Sequence, residues 1–335
     1  MNARDRHTDP WSIGPENFPR TGSAGDRLHF LLGYAALAPS TRNTQPWQFR
    51  VGDDSIEIRI DLARAQPIAD TDRREMFISA GCALENLLIA ARRFGYTTQT
   101  AVAPDAADPL LAARVRFTPG ERAMSTAEGA LFDAIPLRTT NHGVYDGRAV
   151  TQIELEALAQ AAADVGMTLD WIYDSERHTR IEALVMRADA LLFARADYRH
   201  ELGDWIGTGA FGTPWLLSTL GRFAVSYLQP AKSFAQADQK ALISSFAIGV
   251  IGASEDTRAA QVRTGQALER VYLKATELGL ALQPVSQLLQ VTETRNALAA
   301  LLPPGRVPLQ PLRLGHAKLP ADHTPRLPLD QLLAA

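Results

Sequence analysis

ISAGCALENLLIAARRFG, residues 78–95, aligns without a gap on VRTGQALERVYLKATELG, residues 262–279. Gly81, Ala83, Leu84, Glu85, Ala91 and Gly95 match Gly265, Ala267, Leu268, Glu269, Ala275 and Gly279. Similar apolar residues occupy most of the other core positions. Each stretch has the periodicity of an amphipathic helix and stops at a glycine, which accepts the left-handed turn after a helix. Two alanine-rich helices can look alike by chance. The shared Gly-x-Ala-Leu-Glu string and the shared terminal glycines together favour an internal duplication, with a period far longer than a solenoid repeat. A duplicated module in one chain acts as a fused two-fold dimer, and a site can form at its seam.

The flanking sequence supports two similar sets of elements. Residues 1–22 are polar and proline-bearing and read as an extended arm. Leu28, Leu31, Leu32, Ala35 and Ala36 fall on one helical face that Pro39 ends. Ile56, Ile58 and Ile60 alternate with Glu57 and Arg59, the pattern of a half-buried strand. A long helix follows to Gly95, with Asp72 as its expected N-cap, then short strands near 98–103 and 112–117. Ser125 with Glu128, and Thr151 with Glu154, fit the capping box that opens a helix. Strands are expected at 168–174, 244–253 and 309–317, the middle one covered on both faces, and helices at 176–194 and 256–278. The expected fold is α+β: two related halves, 23–124 and 125–335, each with helices on a mostly antiparallel sheet. With the seam internal, a monomer acting as a pseudo-dimer is expected, and a higher oligomer is compatible.

Composition narrows the class. The chain has 335 residues, 46% apolar and 21% charged, with a net charge of −3, an ordinary globular balance with no electrostatic reason to bind nucleic acid or an anionic membrane. The single cysteine, Cys82, excludes an internal disulfide framework and suits a reducing cytoplasm. The first twenty residues carry no apolar signal-like core. No uncharged apolar run approaches the ~18 residues of a membrane span.

Several motif matches are decoys. GTGAFG (207–212) fits G-x-G-x-x-G but lacks the preceding hydrophobic strand and a well-placed later acid. HELGD (200–204) is not H-E-x-x-H, and the histidines show no metal-ligand spacing, so no metal is expected. Cys82 lies mid-helix among apolar neighbours and reads as a buried thiol.

Three stretches remain. APSTRNTQPWQF (38–49) is too polar for a core element and carries more hydrogen-bonding side chains than a connector needs; the bland reading is a turn capped by Ser40 and Asn43. IPLRTTNHG (135–143) sets Arg138 beside hydroxyls, an amide and an imidazole, which suits a phosphate monoester, although a solvated turn fits equally. LALQPVSQ (280–287) reads as a strand that breaks at Pro284. It offers backbone polar groups to a flat polar ring, or is an ordinary strand exit.

Together these stretches resemble the nitroreductase-family flavoproteins, and most of all the fused two-repeat branch called Acg-like. The A-P-S-x-x-N-x-Q-P-W motif of that branch stands here as Ala38 to Trp47. Gly81 to Leu87 is similar to its G-x-A-L-x-N-L helix and Gly265 to Arg270 to its G-Q-A-L-E-R. Arg313-Leu314-Gly315 and Thr324-Pro325-Arg326 match its late segments. The resemblance runs from about residue 27 onward. It implies FMN as cofactor and NADH or NADPH as electron donor. Pro39, Ser40, Thr41, Asn43 and Gln45 would face the flavin ring. Arg138, Thr139, Thr140 and His142 would grip the phosphate, with threonine for the usual serine and histidine for the usual lysine. Gln283, Pro284, Val285, Ser286 and Gln287 would lie at the N5 and O4 side, without the family's frequent glutamate-glycine, and Arg326 would join the phosphate. The first half lacks an R-x-S segment and the second lacks the P-S-x-x-N loop, so one flavin site per chain is implied, not two.

The implied activity is ping-pong hydride transfer through flavin N5 to a nitroaromatic, a quinone or a similar small acceptor, with no catalytic side chain required. Residues 197–240, rich in aromatic residues and glycine, form either a helical pair packed on the core or a lid over the ring. A permanently closed lid would make the chain a flavin-storing or sequestering protein instead.

Overall fold

The computed structural model describes residues 10–120, 124–213, 215–227, 231–317 and 322–334. Its first half runs α1 (Ala24–Ala35), β1 (Trp47–Val51), β2 (Ser55–Ile60), α2 (Arg74–Arg93), β3 (Tyr96–Val102) and β4 (Leu111–Pro119). The strands form one four-stranded sheet in the order β1-β2-β4-β3, antiparallel throughout. After α3 (Thr126–Ala134), the second half opens with α4 (Gln152–Ala163) and β5 (Thr168–Ile172). An excursion through α5 (Ser175–Ala194), α6 (Ala196–Gly207), α7 (Trp215–Tyr227) and α8 (Ala231–Ile243) precedes β6 (Ala247–Ala253). Then come α9 (Arg258–Glu277), β7 (Ala281–Pro284), α10 (Gln287–Gln290), α11 (Thr292–Ala299) and β8 (Val307–Gly315). This sheet has the order β5-β6-β8-β7, again antiparallel. It is the order of the first sheet with each strand number raised by four, so the topology repeats as well as the sequence.

The two long helices form the seam. Gly81 of α2 lies against Gly265 of α9, its sequence equivalent. A Cβ on Gly81 would stand 2.0 Å from the Val262 carbonyl oxygen, and one on Gly265 would stand 1.9 Å from that of Ile78. Val262 and Ile78 are also equivalent positions, so the contact is symmetric about the crossing, as a pseudo-two-fold axis requires. Cys82 is buried at the same crossing and its thiol donates to the Gly265 carbonyl. Gly95 and Gly279 close the helices at φ 80° and 68°.

The sheets differ in burial, for a clear reason. β2 alternates buried and half-buried residues, while β6 is buried along nearly its whole length. A second apolar cluster accounts for this: Ile181 and Val185 of α5, Leu288 of α10 and Leu298 of α11 pack with Ile248 and Val250. The inserted helices thus cover the face that the first half leaves toward solvent.

Both expected capping boxes are present, at Ser125 and Thr151. The start of α2 differs from expectation. Asp72 accepts from Arg74 N, but the helix begins only after Arg73 turns through φ 60°. That turn brings Asp70 back over the helix end, where its carboxylate accepts from Glu75 N and Met76 N. The GTGAFG glycines lie at and just after the end of helix α6 rather than after a strand, so no dinucleotide fold surrounds them. Residues 10–22 include two short 3-10 turns, and Phe18 stacks on Phe94 with ring centroids 4.3 Å apart. The far end of the chain crosses to the first half: Leu333 bridges in parallel to Phe49 on β1, and Ala334 N donates to Phe49 O. Among the described residues, no helix is long and apolar enough to cross a membrane.

Candidate functional site

The loop after α1 is strained in a defined way. Arg42, Asn43 and Gln45 all have positive φ, between 50° and 55°. Each such non-glycine residue costs about 1 kcal/mol or more unless its surroundings compensate. The compensation is visible. Ser40 Oγ accepts from Gln45 N at 2.9 Å. Thr41 N donates to Ser79 Oγ on α2. Gln45 Oε1 accepts from Leu327 N at 2.9 Å. Asn43 Nδ2 donates to Ala210 O at 2.7 Å and to Pro325 O at 2.8 Å. Arg42 reaches Glu201 at 3.4 Å, and Glu201 also accepts from Ile68 N and Ala69 N. Pro39 is half-buried beside them. The loop is therefore tied to the terminal segment 324–327 and to the turn after α6.

Two buried guanidinium groups meet at the base of this loop. Leu37 O accepts from Arg138 at 3.2 Å and from Arg326 at 3.0 Å. Arg326 also donates to Asn43 Oδ1 at 2.9 Å and to Thr324 Oγ1 at 2.7 Å, and its guanidinium lies 4.6 Å from the centre of the Trp11 ring. Burial, with the positive charge of Arg138, pulls the Arg326 pKa well below its usual value. Arg138 sits over the Tyr272 ring and its Nε is 3.7 Å from Glu269 Oε1. Arg138 is 3% exposed and Glu269 is fully buried. Burial pushes the Glu269 carboxyl up to about 7 against the pull of Arg138. The Nε atoms of both arginines and both Glu269 oxygens lack a partner in hydrogen-bond geometry, although the Asn86 amide faces Glu269 and lowers its pKa. Buried polar atoms left in that state cost free energy, and an anionic ligand would satisfy the arginine donors, though not the carboxylate oxygens.

The remaining expected residues fall into two groups. Thr140 Oγ1 and the Tyr272 hydroxyl lie 2.9 Å apart, Thr139 is half-buried beside Arg138, and His142 is exposed. Gln283 Oε1 accepts from Arg313 at 2.6 Å, and Gln287 Nε2 donates to Asp238 at 3.3 Å. Ser286 Oγ accepts weakly from Gln310, and Val285 N donates to Pro311 O. Pro284 pairs with Leu312. The strand ends at Pro284, as expected, but the Val285 N–H just beyond it is already engaged by Pro311 O. The loop, Arg138 and Arg326 converge on Leu37, while Gln283 is held by Arg313 and Gln287 by Asp238.

Two residues important to this arrangement entered the sequence reading only as motif matches, with no site role assigned. Arg313 is 1% exposed, holds Gln283, and donates to the carbonyls of Asn141, Gly143 and Ala241. Glu269 served only as one match between the repeats. A signal was present: a carboxylate recurs at equivalent positions on two otherwise apolar helix faces, but the next residues, Asn86 and Arg270, differ.

No family model matches the sequence. The chain is 31% identical over 333 residues to the provisionally named NAD(P)H nitroreductase Rv3131 of Mycobacterium tuberculosis (strain ATCC 25618 / H37Rv), over 93% of each chain. It is 26% identical over 326 residues to the provisionally named NAD(P)H nitroreductase acg of the same strain, over 94% of this chain and 97% of that one. A crystal structure of a provisionally named nitroreductase from Anabaena variabilis ATCC 29413 matches with a TM-score of 0.53 at 10% identity, over 92% of this chain and 91% of that one. That likeness shows a shared α+β fold. Near-complete coverage at 31% identity shows more, and the chain belongs to the NAD(P)H nitroreductase family.

Proposed function

We propose that this chain is an FMN-dependent oxidoreductase that passes reducing equivalents from NADH or NADPH to a small acceptor such as a nitroaromatic or a quinone. The observation that carries the reading is the pair of buried guanidinium groups, from positions 138 and 326, sharing one carbonyl with unpartnered Nε atoms. Two cations enclosed together need an anion, and a phosphate monoester supplies two charges and several acceptor oxygens. The chemistry of the donors therefore fits the phosphate end of FMN. Thr139, Thr140 and His142, on the same segment as Arg138, would join it. Pro39, Ser40, Thr41, Asn43 and Gln45 would border the ring, and Gln283 to Gln287 its polar edge. When bound, FMN supplies reversible hydride acceptance at N5. The protein's part is to neutralise the phosphate, orient the ring and govern access. Because both halves contribute, one chain suffices for one site.

A second reading has one specific observation in its favour. Asn43 Nδ2 bonds to Ala210 O, in the turn between α6 and α7. The loop is thereby fastened to a segment that could cover the ring, which suits storage or sequestration of flavin with little turnover. One experiment separates the readings. NADH or NADPH is added without oxygen to the FMN-loaded protein, and absorbance near the flavin maximum is followed. Bleaching within minutes, reversed by a nitro compound, is expected for the oxidoreductase. Persistent yellow colour indicates storage. A protein that takes up no FMN contradicts both.

A further inference from the structure

The two halves of the seam are not electrostatically equivalent. On one side Glu85 of α2 bonds to Arg270 of α9 at 2.9 Å and to Gln266 at 2.9 Å. On the other side the equivalent carboxylate is Glu269, and the residue equivalent to Arg270 is Asn86. The positive partner of the symmetric arrangement is thus missing exactly where Arg138 and Arg326 arrive from elsewhere in the chain. Glu269 is fully enclosed, and its nearest cation, Arg138, stands at 3.7 Å, too far for a hydrogen bond.

We infer that Glu269 is the internal counter-ion of the phosphate site: it balances Arg138 and Arg326 until a phosphate monoester arrives, and it takes up one proton when the dianion binds. The inference rests on the FMN reading above and adds its regulation. The charges balance. Two guanidinium groups and one carboxylate leave a net charge of one. A bound dianion beside that carboxylate would create an enclosed excess of negative charge, which a low-dielectric site resists strongly. Protonation of Glu269 removes the excess: the proton comes from solvent, and the carboxylate becomes a carboxylic acid. The group starts close to the required pKa, at about 7 before any ligand.

The other groups facing Glu269 do not take this role. Burial and the charge of Arg138 lower the Arg326 pKa, but a guanidinium keeps its proton in proteins. Glu85 is paired with Arg270 and Gln266. Burial pushes the Cys82 thiol and the Tyr272 hydroxyl upward, so both stay neutral.

The test is FMN affinity, read from quenching of flavin fluorescence between about pH 7.5 and about pH 9.5, where the FMN phosphate is already dianionic. For the wild-type protein Kd is expected to rise about tenfold per pH unit, the slope of one coupled proton. Glu269→Gln should flatten the slope and bind FMN more tightly at the alkaline end. Riboflavin, which lacks the phosphate, should show no slope in either protein. Should the variant fold poorly, calorimetric titration of the wild type near pH 8, in two buffers of different ionisation enthalpy, should report about one proton taken up per FMN. A pH-independent Kd, zero proton uptake, or a slope that survives Glu269→Gln overturns the inference while leaving the FMN reading intact. Absence of FMN binding at every pH overturns both.

Discussion

Asp189 shows how a single residue reports on its surroundings. It lies on α5, is 3% exposed, and its Oδ2 has no hydrogen-bond partner. Burial, and then the negative charge of Asp238 on α8, push its carboxyl from 3.8 to about 7. The folded value lies above the unfolded one, so this group's contribution to stability is complete below about pH 4 and is lost as pH rises through about 7. Asp189→Asn should therefore raise stability at pH 8 by about 2 kcal/mol and change little at pH 4. Denaturant melts at the two pH values check this, and equal effects at both would contradict it. Glu269 and Asp70 shift in the same direction, so these three carboxyls favour the acid side of neutrality, while His142, its pKa lowered by desolvation and by the charge of Arg313, acts in the opposite direction. Such residues were poorly legible in the sequence. An isolated Asp on an amphipathic helix reads as solvated, and only the packing of α8 beside α5 encloses it. Likewise Arg326 was readable as a candidate by its motif, but its meeting with Leu37 O joins positions 289 apart in the chain.

At the scale of elements, the α2–α9 crossing sets the relation between the halves. A glycine inside an exposed helix normally costs up to about 1 kcal/mol relative to alanine, so Gly→Ala usually stabilises. Here the sign should reverse. A methyl group at Gly81 would meet the Val262 carbonyl at 2.0 Å, and backbone cannot rotate away as a side chain can. Gly81→Ala and Gly265→Ala should each destabilise by about 3 kcal/mol or more, as overpacked core sites do. Gly129 of α3, where a Cβ meets nothing within 4 Å, serves as control and should tolerate alanine. Thermal melts of the three variants decide the matter; a neutral effect at Gly81 would contradict the close approach. Both helices, their terminal glycines and the capping boxes were legible because they follow from short-range periodicity and local chemistry. The true cap of α2 was not. It depends on the left-handed turn at Arg73, a conformation that arginine rarely adopts and composition does not announce.

At the scale of the molecule, duplication and divergence explain the arrangement together. The sheets keep the same strand order, so the halves descend to a common design legible in two matched helices. The asymmetries lie where the candidate site is. The first half keeps the loop at 39–45, the second keeps Arg138, and the terminal segment returns to place Arg326 beside both. The long excursion through α5 to α8 was legible as an aromatic, glycine-containing segment. Its bond to Asn43 was not, because a backbone carbonyl at Ala210 carries no sequence signature. The most direct test of this account is the flavin content of the purified, FMN-saturated protein. Absorbance gives flavin per chain, and light scattering gives mass. One FMN per chain is expected, with affinity falling at least about tenfold on replacing either Arg138 or Arg326 by methionine. Two flavins per chain, or unchanged affinity in both variants, would contradict a single site pooled from two incomplete halves.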